Sequence, residues 1–184
     1  ADMDLDGMMD FVVASKSKHL YIFDINGVKA DYDAGRYLIG TPVIANLDQD
    51  EDLEVVVGGY SSPTSSNALY AINYDGSEVD GFPFIVGEKI KAGAAVADMN
   101  DNGFDDIIFG TDSDNLYVLL DDLTIAPNFP VALPDKIQSE PAIYDMGNEK
   151  IILTGCKDNL LHAINYSDAT SRFTIVTGDD VFTS

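Results

Sequence analysis

The sequence has few basic residues, one cysteine, no tryptophan and no long apolar run, and these shortages exclude several classes of protein. Ten Lys and Arg residues stand against 32 Asp and Glu residues, which gives a formal net charge of −22. Nucleic acids and anionic membranes are bound through basic surfaces, so this charge argues against both as partners. With Cys156 as the only cysteine, an internal disulfide is impossible. Because no apolar run is long enough to cross a bilayer, we expect no membrane insertion.

Helical periodicity with caps is also missing, and short strand-like runs repeat along the chain. These runs are rich in Val, Ile, Tyr and Phe and are broken by Gly, Asp, Asn and Pro. The stretch 1–14 reads D-x-D-x-D-G-x-x-D followed by an apolar run, and it recurs at 45–58, at 97–110 and, shortened, at 142–155. A second register agrees with the first, since Leu20, Leu69, Leu116 and Leu161 are spaced 49, 47 and 45 residues apart. Two agreeing registers make chance similarity a poor explanation.

The repeat length and its strand content together predict the fold. In the second unit, strands are predicted at about 41–47, 54–59, 68–74 and 81–86 from pattern and turn signals. A period in the forties with four strands per unit is typical of a β-propeller. The sequence therefore predicts an all-β protein, a β-propeller of about four blades, each a four-stranded antiparallel sheet.

The predicted blade boundaries leave the completeness of the ring open. We expect one domain, or a fragment of one, over 1–184. The predicted blades span about 1–39, 40–90, 91–136 and 137–177, and a further innermost strand is expected to start within 178–184. Either the two ends meet and share a blade, or the chain is part or half of a larger ring that a homodimer would complete.

Carboxylates at alternate positions of a tight loop can point at one centre, and only a hard cation makes such crowding favourable. Calcium takes about six to eight oxygen ligands in this way. An EF-hand is excluded because its twelfth loop position needs a glutamate, where this chain has Val13, Val57 and Phe109. The alternative is that these stretches are Asp- and Asn-rich turns that need no metal.

These motifs resemble the FG-GAP/VCBS repeats of integrin α-chain propellers and their bacterial relatives. The resemblance rests on the acidic motif, on the Leu-Tyr-x-Ile strand and on the Gly-Phe-Pro element at 81–83. It implies that each acidic loop joins the first two strands of a blade and holds calcium on one rim. It also implies a secreted or cell-surface module for adhesion or for binding a protein or carbohydrate ligand.

The predicted calcium ligands are side-chain oxygens at alternate loop positions, joined by one backbone oxygen in each loop that the family pattern implies. They are Asp2, Asp4, Asp6, Met8 and Asp10 in the first loop, Asn46, Asp48, Asp50, Asp52 and Glu54 in the second, and Asp98, Asn100, Asn102, Phe104 and Asp106 in the third. Two amides should weaken the third site. Glu51 replaces the expected glycine, so occupancy of the second loop is left open. The fourth loop keeps Asp145 without alternating acids and is predicted to hold no ion.

No catalytic constellation is visible, so we predict no catalytic residue and favour a non-enzymatic, calcium-stabilised extracellular binding module. The alternatives are the propeller portion of a secreted polysaccharide-degrading enzyme and a structural assembly element. His162 stands where other repeats have tyrosine and is expected to pack, and Cys156 is expected to be a small buried or half-buried thiol. With no Cys/His cluster in the sequence, zinc is not expected. Tyr37 and Tyr60, like Tyr32 and Tyr74, suit either sugar stacking or blade packing.

Overall fold

Short strands separated by turns account for the regular structure of the chain. The computed structural model describes residues 1–48, 50 and 52–182. Within these residues the strands are β1 Phe11–Ala14, β2 His19–Asp24, β3 Gly27–Asp33, β4 Val43–Ala45, β5 Glu54–Gly58, β6 Ala68–Ile72, β7 Phe84–Ile85, β8 Ala95–Ala97, β9 Asp106–Gly110, β10 Asn115–Leu119, β11 Val131–Ala132, β12 Ala142–Asp145, β13 Lys150–Gly155, β14 Leu160–Asn165 and β15 Ser171–Val176. A single 3-10 turn, Thr64–Ser66, is the helical element of this part of the chain, and no helix there has the length and apolar character needed to cross a membrane.

The strands form four small antiparallel sheets in which neighbours in sequence are neighbours in the sheet. Three sheets have four strands each, β4 to β7, β8 to β11 and β12 to β15, while β1 to β3 form a three-stranded sheet. The predicted all-β class is confirmed, and so are the four strands predicted for the second sequence repeat, which are β4 to β7. The first sheet differs from the expected four strands because Ala1 aligns with Ala45, the last residue of β4, so the strand before its acidic loop has no counterpart in the sequence.

The leucine register of the sequence is a structural register of the sheets. Leu20 pairs with Ala14, and Leu69, Leu116 and Leu161 pair with the glycines at 58, 110 and 155. Leu20, Leu69 and Leu116 are fully buried. Burial of apolar side chains from the middle strands is therefore what the repeat preserves.

The chain divides into two compact units, each with two sheets. The first unit covers residues 1–91 and the second covers residues 92–184. A core of Met3, Leu20, Val57 and Tyr70, among others, lies in the first unit. A separate core with Met99, Ile108, Leu116 and Ile152 lies in the second. Residues 178–182 form no strand, and the last two residues of the predicted further strand lie outside the described residues.

In each four-stranded sheet, the second strand ends at a glycine, and the segment that follows the last strand packs closely against that glycine. A Cβ built on Gly58 would lie 2.1 Å from Ile90 Cγ2, and one on Gly110 would lie 2.1 Å from Ile137 Cγ2. Val181 approaches Gly155 in the same way, at 2.3 Å from such a Cβ. These close approaches fix the connections that follow β7, β11 and β15.

The meander of each sheet places its connections on two opposite edges. Within each sheet, one end of the strands carries the acidic loop or its counterpart, and we call this end the acidic edge of the unit. These loops are the stretch before β1 and the β4–β5, β8–β9 and β12–β13 connections. The β1–β2, β5–β6, β9–β10 and β13–β14 connections lie at the other ends of the strands, together with the chain segments that join one sheet to the next. We call this the opposite edge of each unit.

Candidate metal-binding loops

The first acidic loop is shaped by its own carboxylates. Gly7 N–H donates to Asp2 Oδ2 at 3.0 Å, and Met8 N–H donates to Asp6 Oδ1 at 2.8 Å. Asp6 N–H donates to Asp4 Oδ1 at 3.3 Å. Gly7 has a φ of +89°, a left-handed conformation in which glycine carries no steric penalty. These hydrogen bonds and the left-handed glycine fold the loop back on itself.

Three carboxylates of this loop converge on one point. Asp2, Asp4 and Asp10 each contribute an oxygen, and these atoms lie within 4.8 Å of one another. Calcium–oxygen distances of about 2.3–2.6 Å allow ligand oxygens to be no more than about 5 Å apart, so this set fits one ion. Asp2 Oδ1 is buried and has no hydrogen-bond partner. A buried anionic oxygen without a partner is costly, and a cation would satisfy it.

The last carboxylate of each acidic loop has a second, structural task. Asp10, Glu54 and Asp106 each accept the N–H of the residue seven positions earlier, at 2.7 Å in all three loops. All three are buried. Each carboxyl group is therefore fixed inside the protein at the start of a strand.

The second loop brings its acids together as the first does. Asp48, Asp50 and Glu54 each place a carboxylate oxygen within 4.8 Å of the others. Asp50 N–H donates to Asp48 Oδ1 at 3.0 Å, and Asp52 N–H donates to Asp50 Oδ1 at 2.9 Å. Asn46 directly follows β4. Glu51, on which the predicted occupancy of this loop depended, lies outside the described residues.

The pKa of Glu54 indicates that negative charge is unfavourable in the folded second loop. Burial raises the pKa of Glu54 to about 7, against the lowering effect of the Leu47 N–H, and the nearby Asp48 and Asp50 carboxylates add to the rise. A proton or a metal ion is therefore favoured at this position when the loop is folded.

The third loop satisfies more of its oxygens internally. Asp98 accepts N–H groups from Gly103 and Asn102, at 2.7 and 3.0 Å. Asp106 accepts from Met99 through one oxygen and from Asp121 N–H through the other, at 2.9 Å. Burial raises the pKa of Asp106 to about 6 even though these N–H groups lower it.

The side-chain amides of Asn100 and Asn102 use both their oxygen and their nitrogen atoms in hydrogen bonds within the protein. Asn100 Oδ1 accepts Asn102 N–H at 3.2 Å, and Asn102 Oδ1 accepts Phe104 N–H at 3.0 Å. Their amide nitrogens both donate to Asp121 Oδ1, at 3.3 and 2.8 Å. The third loop therefore has fewer negative oxygens left for an ion than the first.

A lysine from the following sheet reaches into the third loop. Lys150 is buried, and its Nζ donates to the Asp98 carbonyl at 2.6 Å and to Asp101 Oδ1 at 2.5 Å. The ammonium group supplies part of the positive charge that the acids need. The fourth turn, between β12 and β13, is shorter, and Gly147 N–H donates there to Asp145 Oδ1 at 2.6 Å.

The structure assembles one cluster that the sequence analysis missed. Cys156, Asp158 and His162 each offer a ligand atom within 4.8 Å of the others, across the turn between β13 and β14. The expectation that no Cys/His cluster exists was therefore wrong. Asp158 Oδ2 lies 2.9 Å from His162 Nε2, and the Cys156 thiol donates to the Asp135 carbonyl, with 2.9 Å between Sγ and O. The spacing Cys-x-Asp-x-x-x-His across a predicted hairpin is the signal that could have revealed it.

Comparison with known proteins identifies the fold. No family model matches the chain, and no curated protein matches it. Among solved structures, BamB from Moraxella catarrhalis is 18% identical with a TM-score of 0.61, and it covers 95% of this chain. BBS1N, crystallised in complex with ARL6DN, is 15% identical with a TM-score of 0.66 and covers 98%. The V. cholerae biofilm matrix protein Bap1 is 12% identical with a TM-score of 0.72 and covers the whole chain.

These likenesses are too distant in sequence to show more than the fold. The structures are β-propeller-like, and this chain has a β-propeller fold. It spans about half of BamB and of BBS1N, at 48% and 53%, and 29% of Bap1.

Proposed function

We propose that this chain is a calcium-stabilised β-propeller module of the FG-GAP/VCBS type. It acts outside the cell or at the cell surface, and it binds a protein or carbohydrate ligand without catalysing a reaction. The first acidic loop carries the calcium part of the proposal, because Asp2, Asp4 and Asp10 converge there and Asp2 Oδ1 is buried without a partner. The biofilm matrix protein Bap1 has a similar fold, which supports an extracellular role.

Calcium would act as a structural staple. The loop acids repel one another when the loop is folded, and an ion that binds only the folded loop stabilises it by mass action. One site at a free concentration about 100 times its Kd would contribute about 2.7 kcal/mol. Asp2, Asp4, Asp6 and Asp10 would hold the ion in the first loop and Asp48, Asp50 and Glu54 in the second. In the third loop, amides and Lys150 make binding weaker.

Calcium titration calorimetry on wild type and Asp4→Asn tests this proposal. Asparagine keeps an acceptor for the Asp6 N–H and removes only the charge, so the loop can keep its shape. We expect the affinity of the tightest site to fall by about tenfold or more. Asp80→Asn makes the same change of charge at an exposed position outside the loops and should leave binding unchanged. Equal titrations for all three proteins, or no calcium binding at all, would contradict the proposal.

A further inference from the structure

Charge in the first unit is divided between its two edges. The acidic edge carries the loops described above. The connections on the opposite edge, at 15–18, 34–42, 59–67 and 86–91, hold five of the ten basic residues of the protein, and Glu88 is their only acid. These basic residues are Lys16, Lys18, Arg36, Lys89 and Lys91. The nearby acids at the end of β3 are already engaged, Asp31 with His19 Nδ1 at 2.5 Å and Asp33 with the Gly35 N–H at 2.8 Å.

Two lysines and two tyrosines on this edge contact one another in series. Lys18 Nζ lies 5.6 Å from the centroid of the Tyr37 ring, and the Tyr37 and Tyr60 ring centroids are 5.6 Å apart. Lys91 Nζ lies 5.5 Å from the Tyr60 centroid. Tyr37 is 41% exposed, and the other three residues are half-buried. We call these four residues the Lys–Tyr row.

The row is held by the backbone. Tyr37 and Tyr60 exchange two N–H···O bonds, at 3.0 and 3.1 Å, although neither belongs to a strand. Asn67 Oδ1 accepts the Ser61 N–H at 2.7 Å, and the Asn67 carbonyl accepts N–H groups from Val86 and Gly87. The connection with Tyr60 is thus tied to the segment that leads to Lys91. Backbone that is fixed before binding has less entropy to lose when a ligand arrives.

Lys18 occupies a position whose backbone conformation disfavours lysine. Its φ is +79°, and the corresponding turns of the second unit place Asp114 and Asn159 there, with φ of +69° and +66°. Asp and Asn tolerate this left-handed region better than other residues with side chains. A lysine at this turn breaks the local rule, which is typical of positions kept for function.

We propose that the Lys–Tyr row binds an anionic saccharide, a chain of hexuronate units. The lysine ammonium groups would pair with the sugar carboxylates, and the tyrosines would offer apolar ring surface and hydroxyl groups to the sugar rings and their hydroxyls. This rests on the proposed binding function and gives it a site and a ligand class. A hexuronate chain carries one carboxylate per ring, which suits a few cations set among aromatic rings.

A nucleic acid is disfavoured as the occupant. Its affinity comes from many phosphate contacts. The connections of this edge offer only five cations for such contacts. Binding of duplex DNA is therefore tested as a competing outcome.

The test compares tetragalacturonate with a neutral galactose tetrasaccharide by titration calorimetry in saturating calcium. Lys18→Asn and Lys91→Gln remove the two charges, and asparagine suits the left-handed turn, so Lys18→Asn should unfold at or above the wild-type temperature. We expect the neutral sugar to bind at least about tenfold more weakly and each variant to lose about fivefold or more in affinity for the uronate. Tyr60→Phe, which removes only the hydroxyl, should also weaken binding. Lys136→Gln, at an exposed position of the second unit, is the charge-matched control and should bind like wild type.

Three outcomes would overturn this inference. They are equal binding of the neutral and anionic sugars, unchanged uronate affinity in Lys18→Asn and Lys91→Gln, and duplex DNA binding as tightly as the uronate with the same loss in both variants. The calcium-induced rise in Tm is measured on the same samples. A rise without saccharide binding overturns only the ligand assignment. Saccharide binding without a rise overturns only the calcium-stabilised module.

Discussion

Replacing Gly58 by alanine should destabilise the first unit and displace the segment that carries Lys91. The added Cβ would lie 2.1 Å from Ile90 Cγ2 and 2.6 Å from Ile90 Cβ, well inside van der Waals contact. Rotating the Ile90 side chain cannot move its Cβ, so the backbone of the 86–91 segment must shift. Overpacking costs about 1–3 kcal/mol, and a clash that side-chain rotation cannot relieve belongs at the upper end. For a chain of this size, about 3 kcal/mol corresponds to a fall in Tm of about 6–12 °C.

A set of variants at Ile90 isolates this clash. Ile90→Val keeps Cγ2 and should not relieve Gly58→Ala, whereas Ile90→Ala removes Cγ2 and should relieve part of it. In a double-mutant cycle measured by urea unfolding, Gly58→Ala and Ile90→Ala should therefore couple favourably by about 1 kcal/mol or more. Additive effects, or a Gly58→Ala protein that unfolds within about 2 °C of wild type, would refute the reasoning. Weaker tetragalacturonate binding by Gly58→Ala would link this contact to the Lys–Tyr row.

Three further predictions follow from buried groups. Lys150→Met should lower Tm in chelator, because Asp101 and the Asp98 carbonyl lose their cationic partner. The same change should raise the calcium affinity of the third loop roughly fivefold, because the ammonium group no longer repels the ion. An unchanged calcium titration would contradict this prediction. In chelator, Tm should rise as the pH falls from about 8 to about 5.5. The folded-state pKa values of Glu54 and Asp106, about 7 and about 6, exceed their ordinary values, so the stability they contribute at low pH is lost as the pH rises through 6 to 7. Saturating calcium should flatten this dependence, and a chelated protein that loses stability on acidification would contradict it. Finally, burial raises the pKa of the Cys156 thiol to about 11, so a thiol reagent at neutral pH should label it only after unfolding, and fast labelling of the native protein would contradict that.

The sheets could be predicted from sequence because their determinants are local and repeated. Val-, Ile- and Tyr-rich runs, turn residues and the leucine register recur in each unit, and β5, β6 and their partners lie where these signals indicated. The acidic loops were recognisable for the same reason, since alternate carboxylates and a following strand are adjacent in the chain. Two features departed from expectation: the first sheet has three strands, and the described residues 178–182 form no strand.

The remaining features depend on contacts between residues far apart in sequence. Lys150 contacts Asp98 and Asp101, about fifty residues earlier in the chain, and no pattern in the third loop predicts this contact. Tyr37 and Tyr60 were ambiguous as single aromatic residues, and only the fold shows that a lysine lies beside each ring. Long-range pairing of this kind is set by the topology of the sheets and cannot be deduced from local propensity.

Thermal unfolding in calcium, in chelator and in magnesium tests the central claim most directly. If calcium staples the folded loops, saturating calcium should raise Tm by about 5–10 °C for each tight site, from about 2.7 kcal/mol per site at 100 times Kd. Magnesium should give a much smaller rise, because it demands a stricter octahedral geometry and dehydrates reluctantly. The same Tm in calcium and in chelator would contradict the account and leave the acidic loops as turns that need no ion.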